Sequence, residues 1–448
     1  MAAGELGGSA VAVTDERLFA AEPHFWEENM KRIAKLALAL GATMLMTSVG
    51  HAEQKTFKIW WYESATSAAG ITWKKALEIF QEKHPDVKVQ FELKTFDQIT
   101  KAGTMILNSS EAPDLMEYNK GNAVAGLAAS QGLLTPLDDI ARERGWDKVL
   151  TDASNQLSRY DEKGVYGSGP LVGVANYGEF VSVFYNEDMF KAAGVKVPET
   201  LADMEKVMDV FVSKGITPIA EAANDYPAQH LMYLLALSKA DNKWVSDFQG
   251  VRAPLDAAPF VYAGEKLQEW VKKGYISKDS TGLKAPDMAN LFETGKSPMV
   301  VTGTWYGAEF GALKTFKTGQ FLFPGNTISP ASTGNIWVVP KNAKNKDLAY
   351  DFIDITLSKE NQALFGNNGG LPIAADPAMI TDPVGKMEVE LFNKLVAQNG
   401  MGFYPDWPVP GYYDVVLQAT QAVIAGTVTP EEFGERLKTP YDEVQGDL

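Results

Sequence analysis

The chain has no cysteine. That absence removes disulfides, thiolate nucleophiles, cysteine-ligated zinc or iron–sulfur clusters and an acylated lipoprotein N-terminus. Histidine is nearly missing too, with four in 448 residues. Positive charge is in deficit: 41 Lys and Arg stand against 57 Asp and Glu, a formal charge of -16. An acidic surface repels a phosphate backbone, and no basic cluster interrupts this one, which argues against nucleic-acid partners. No apolar run reaches the ~20 residues a membrane-spanning helix needs. Also absent are the His-Glu-x-x-His zinc helix, the phosphate-cradling Gly-x-x-x-x-Gly-Lys-Ser/Thr loop and the Gly-x-Ser-x-Gly elbow. What is present is a hydrophobic content of 45%, enough for a large core and a prior of two or three domains at roughly 150 residues each.

The N-terminal region reads as a targeting segment behind a misplaced start. Lys31, Arg32 and Lys35 precede a weakly polar to apolar stretch, Leu36 to Met46, and Gly50-His51-Ala52 offers a small-residue cleavage site. Residues 30–52 are thus expected to be a cleavable signal peptide and Glu53 the mature start. Residues 1–29 would then come from a mis-called start codon, since Trp26-Glu27-Glu28-Asn29 back-translates to a purine-rich run like a ribosome-binding site.

Beyond it, hydrophobic periodicity gives alternating strands and helices. Phe57 to Trp61 reads as a strand, Trp73, Leu77 and Phe80 as a helical stripe ending before Pro85, and Val87, Val89, Phe91 and Leu93 as a second strand. That is a βαβ unit, which implies a parallel sheet flanked by helices. The pattern recurs: a helix opened by Thr200 and Asp203 and ended by Gly215 precedes a strand at Ile216–Ile219, and a stripe from Phe260 to Val271 is closed by Gly274. Strands are expected at Met299–Thr302 and Ile336–Val339, and the last seventy or so residues read as helical. No repeat or long linker separates domains, which fits lobes hinged by short crossings.

Sugars present C–H faces that lie on aromatic rings and hydroxyls that need amide or carboxylate partners. Several segments combine the two at strand ends or turns. They supply Tyr62 and Glu63, Asn119, Asn176, Tyr177 and Glu179, Asp225 and Tyr226, Trp305, Asn367, and Asp406 and Trp407 as candidate ligand-binding residues. Trp60, Trp73, Trp270 and Trp337 fall within strand or helix patterns and read as core, Trp61 and Trp146 as either. Trp305, between Gly303 and Gly307, is the leading cleft candidate, its glycine neighbours leaving the approach open. His84 and His230 read as structural. No catalytic pair or metal set stands out, so no catalytic residue, metal or cofactor is expected. A secreted carbohydrate-active enzyme stays open as an alternative, because paired carboxylates among so many acids are not ruled out by spacing. A receptor for a non-sugar solute such as a polyol stays open too.

The order of Ala112-Pro113-Asp114-Leu115, Gly132-Leu133-Leu134-Thr135-Pro136-Leu137, Phe184-Tyr185-Asn186-Glu187-Asp188-Met189-Phe190, Phe292-Glu293-Thr294-Gly295-Lys296, Gly303-Thr304-Trp305 and Leu348-Ala349-Tyr350-Asp351-Phe352 resembles the extracellular solute-binding proteins, family 1, the carbohydrate receptors of bacterial ABC importers. The resemblance implies a two-lobed α/β fold of the periplasmic binding protein type, each lobe a mainly parallel sheet flanked by helices, with a helical C-terminal region. It places 53–174 plus 338–378 in an N-lobe and 175–337 plus 379–448 in a C-lobe, with crossings near Val174–Asn176 and Gly334–Trp337. It adds Asn335 to the candidates and supports a stacking role for Trp305. The implied protein is a periplasmic, monomeric receptor that binds a mono- or oligosaccharide, leaves it unaltered and delivers it to membrane permease subunits.

Overall fold

The computed structural model describes residues 54–150 and 155–448, so the expected signal peptide and start codon lie outside the described residues. Twelve strands occur among these residues: β1 (Thr56–Trp61), β2 (Lys88–Leu93), β3 (Leu115–Tyr118), β4 (Arg159–Tyr160), β5 (Tyr166–Leu171), β6 (Val174–Ala175), β7 (Glu179–Asn186), β8 (Ile219–Ala220), β9 (Met299–Gly303), β10 (Thr318–Phe321), β11 (Ala331–Ser332) and β12 (Ile336–Val338).

The first sheet runs β2-β1-β3-β12-β6. β1 lies parallel to β2 and β3, with Thr56 opposite Lys88 and Ile59 opposite Leu115. β12 enters antiparallel, pairing Ile336 with Tyr118. Period-two alternation decides which face each residue of β1 covers. Phe57, Ile59 and Trp61 join Trp73, Phe80, Trp337 and Phe352 in one buried cluster, beneath the helices Ala68–Lys83 and Lys346–Leu357. Trp60 points the other way, toward Met116, Tyr118, Ile336 and Val338, under the helix Phe96–Leu107 and the chain after Asn122. Both faces of the sheet are therefore covered, and Trp61 and Trp146 are core. The helix Ala68–Lys83 starts where Ser67 accepts a hydrogen bond from the Gly70 N–H at 3.1 Å and ends at His84 before Pro85.

The second sheet, β10-β7-β9-β8 with β11 also on β7, differs from the expected mainly parallel arrangement. β7 pairs antiparallel with β9, β10 and β11, and β8–β9 is the parallel pair. The reason is topological: β7 enters directly from the first sheet, so it runs against strands laid down by the lobe's own strand–helix units. The strand expected at Ile216–Ile219 is just Ile219–Ala220. Helix Pro227–Leu237 is buried along its whole length, as an all-round apolar helix must be. It packs beside Ala258–Lys273, which Gly274 closes in the left-handed region at φ 77. Helices Tyr412–Ala425 and Pro430–Asp447 complete this side, so the C-terminal region is helical.

The chain passes between the sheets at Asn176–Gly178, where β6 gives way to β7, and at Thr333–Asn335, between β11 and β12. Gly178 also donates to the Leu371 carbonyl at 2.7 Å, which ties the chain around Leu371 to the first passage. Gly334 sits at φ +65, and a Cβ there would fall 2.2 Å from the Tyr177 carbonyl oxygen, so the two passages approach closely only because the residue is glycine.

Candidate functional site

β1 ends by delivering Tyr62 and Glu63 to the gap between the sheets. Glu63 is buried and held by both passages: Tyr177 Oη donates to its Oε1 at 2.7 Å and Asn335 Nδ2 to the same oxygen at 3.1 Å, with Asn335 Nδ2 also 2.6 Å from Tyr177 Oη. Glu179, the first residue of β7, accepts from Ser332 Oγ at 2.8 Å. Burial pushes both carboxyls up to about 7, opposed by these hydrogen bonds. Behind them, Glu117 accepts from the Tyr62 N–H and Asn176 Nδ2, and burial with the nearby Glu63 raises it as well.

These residues form the floor of a cavity of about 480 Å³. Its walls come from both sheets' connections. Ser64, Ser67, Phe96 and Asn119 belong to the first; Tyr226, Gln229, His230, Pro286, Ala289, Glu293, Trp305, Tyr306, Glu309, Tyr404, Asp406 and Tyr413 belong to the second. The sides meet over it. Ser64 Oγ and Thr66 Oγ1 donate to Glu309 Oε1 at 2.7 and 2.5 Å, and the Phe96 ring lies 6.2 Å from Tyr226 and 6.0 Å from Tyr413.

Trp305 follows β9 in a short 3-10 turn, half-buried. Its indole N–H donates to Tyr226 Oη at 3.1 Å, and its ring stands edge-on to Tyr226 and His230. Gly303 does not keep the approach open. A Cβ there would lie 2.0 Å from the Trp305 ring, so the glycine is the seat on which the ring folds back.

Of the candidates, Tyr62, Glu63, Asn119, Tyr177, Glu179, Tyr226, Trp305, Asn335 and Asp406 line the cavity together. Four do not. Asn176 is buried behind the floor and orients Glu117. Asp225 turns away beneath the wall, accepting from the Tyr226 and Ala285 N–H groups and from Tyr413 Oη. Asn367 clamps a loop, accepting from the Thr381 and Asp382 N–H groups and donating to the Met379 carbonyl. Trp407 is core, stacked on Phe403 and pressed against Gly121. In each case the side chain faces away from the cavity, because neighbours along a turn point different ways.

His230 corrects its structural reading, since it lines the cavity; burial lowers it to about 3, so it stays neutral. Its spacing of four from Tyr226, across one helical turn, was the available signal. Phe96, Glu293, Glu309 and Tyr413 sit on helices far apart in sequence, and nothing local marks them. The segment 402–413 divides: Tyr404, Asp406 and Tyr413 line the cavity while Val409 and Tyr412 are core. Among the described residues no cluster of His, Asp and Glu could hold a metal ion, and no helix is long and apolar enough to cross a membrane.

Two α/β lobes joined by strand passages, with an aromatic and carboxylate-lined cavity between them, define a binding protein of the two-lobed type. Residues 64–363 match the family model for bacterial extracellular solute-binding proteins, and the chain belongs to that family. A probable sugar-binding periplasmic protein of Rhizobium meliloti (strain 1021) is 24% identical over 69% of this chain and 73% of its own. The diacetylchitobiose binding protein DasA of Streptomyces coelicolor is also 24% identical, over 82% of this chain and 86% of its own. Among solved structures, the bacterial solute receptor AcbH, described with an exclusive preference for β-D-galactopyranose, superposes with a TM-score of 0.75 at 18% identity. That match covers 88% of this chain and all of AcbH, and it is a likeness of fold.

Proposed function

We propose that the protein is the periplasmic receptor of an ABC sugar importer, binding a mono- or oligosaccharide between its lobes without altering it. The observation that carries this is the cavity: half-buried rings and hydrogen-bonding side chains face each other across about 480 Å³, a volume suited to one or a few sugar rings. The relatives' sugar-binding names support the same reading. Residues 53–174 with 338–378 and 175–337 with 379–448 would move as hinged lobes, bending at the passages, and the closed form would be what the permease recognises. The exported form would begin at Glu53 and act as a monomer.

A thermal-shift screen against mono- and oligosaccharides, followed by small-angle scattering with each hit, tests this. A cognate sugar at 100 times Kd adds about 2.7 kcal/mol of stability and shrinks the radius of gyration. A hit recovered chemically changed after incubation would favour the enzyme reading. Binding of non-sugar solutes alone would replace the sugar.

A further inference from the structure

The carboxyl groups of the cavity face no basic side chain in its lining. Glu63, Glu179, Glu293, Glu309 and Asp406 line it, and no lysine or arginine does. His230 contributes no charge at neutral pH. Two lysines stand behind the walls, and Lys120 offsets part of the charge of Glu179. Lys120 is buried behind Glu179 and donates to the Thr333 carbonyl at 3.2 Å and to its hydroxyl at 2.5 Å. Lys101, 5.9 Å from the Tyr413 ring, pairs with Asp414 at 3.4 Å. Glu309 is occupied by the Ser64 and Thr66 hydroxyls, and Glu117 adds a further acid behind the floor. Burial holds Glu63 and Glu179 up at about 7, so each gives up its proton readily when a cation is placed against it.

A second observation is a carboxyl oxygen in the cavity floor that the protein leaves without a donor. Buried polar groups are rarely left unpaired unless something else completes them. Both protein donors to Glu63 converge on Oε1, so its Oε2 is not needed by either. An ionised carboxylate only accepts, and an ammonium offers three donors with the matching charge. The surrounding rings, Tyr62, Phe96, Tyr226, Trp305 and Tyr306, favour both a sugar's C–H face and a cation.

Resting on the saccharide reading above, we propose that the ligand is an amine-bearing saccharide, an amino sugar or an oligosaccharide containing one, whose ammonium is held by Glu63 with Glu179 as the second anion. Acidic and phosphorylated sugars would be repelled by the same carboxylates.

Calorimetry on the exported protein at about pH 7 and low salt, where a sugar amine is still largely protonated and carboxyls raised to about 7 can ionise against it, tests this with sugars that differ at one carbon. The probes are glucosamine, galactosamine and fully deacetylated chitobiose, against their N-acetyl forms and against glucose, galactose and cellobiose. At least one amine is expected to bind roughly tenfold or more tighter than both of its counterparts. That preference should shrink between about 20 and 500 mM NaCl. Glu63→Gln, an isosteric change, should abolish the preference, read as the ratio of amine to counterpart affinity within the variant. Glu179→Gln provides the same test should Glu63→Gln fail to fold. Equal or tighter binding of an acetamide or hydroxyl counterpart, or of any other neutral saccharide, overturns the amine and leaves the sugar receptor intact. Failure of every saccharide overturns the receptor reading and the amine together.

Discussion

Trp73 and Trp337 meet edge to face at 5.5 Å in the first lobe's core, both fully buried, with Phe352 against Trp337 at 5.7 Å. Trp305 has comparable ring neighbours, Tyr226 at 5.8 Å and His230 at 5.6 Å, yet it stays half-buried. The core rings are enclosed by protein on every side, whereas the cleft rings have protein on one side and a cavity on the other. Ring geometry alone does not separate a structural from a binding aromatic. Coverage does, and it predicts different consequences for the same truncation.

The largest effect should come from the core. Trp337→Ala is expected to lower stability by about 3–5 kcal/mol, with sugar affinity retained in the folded fraction. Chemical denaturation beside calorimetry checks both. Equal losses of stability from Trp337→Ala and Trp305→Ala would break the comparison. For Trp305→Ala the expectation is reversed: a stacked ring is worth ~2 kcal/mol to a bound sugar, so affinity should fall roughly thirtyfold while the ligand-free melting temperature barely moves.

Titration separates the two regions next. Burial raises Glu63 and Glu179 in the cleft from an ordinary 4.5 to about 7. An acid with a higher pKa folded than unfolded holds its proton more tightly when folded. Its stabilising contribution is complete below about 4.5 and is lost as pH rises toward about 7. The slope is at most about 1.4 kcal/mol per pH unit for one carboxyl. Melting temperatures of the ligand-free protein should fall across that range, and less steeply in Glu63→Gln. An unchanged slope in the variant would mean that Glu63 is ionised throughout. The smallest effect concerns the contact across the cleft. Glu309→Ala removes the acceptor of the Ser64 and Thr66 hydroxyls, so sugar affinity should weaken by about two- to fivefold. Scattering should show a more open ligand-free protein, and an unchanged radius would mean that these bonds do not bias closure.

Local chemistry was legible where one segment contains its own cause. Thr200 before Asp203, Gly274 after Val271 and the strand Phe57 to Trp61 place caps and faces directly. The cleft residues Tyr62, Glu63, Tyr177 and Glu179 were legible because they follow or open strands, where ligands collect. Trp407 and Asn367 were misjudged because a turn's sequence carries no record of which neighbour points inward. The second sheet was misjudged because strand direction depends on where a chain arrives from. β7 arrives from the other lobe.

Composition, periodicity and caps, which act over a few residues, determined by themselves that this is an acidic, cysteine-free α/β protein rich in strand-end aromatics. The tertiary structure alone decided that Glu63, Tyr177 and Asn335 share one hydrogen-bonded cluster and that Ser64 reaches Glu309. These partners stand as far as 272 residues apart. Contacts at such separation are set by the packing of whole lobes, and no local periodicity encodes them.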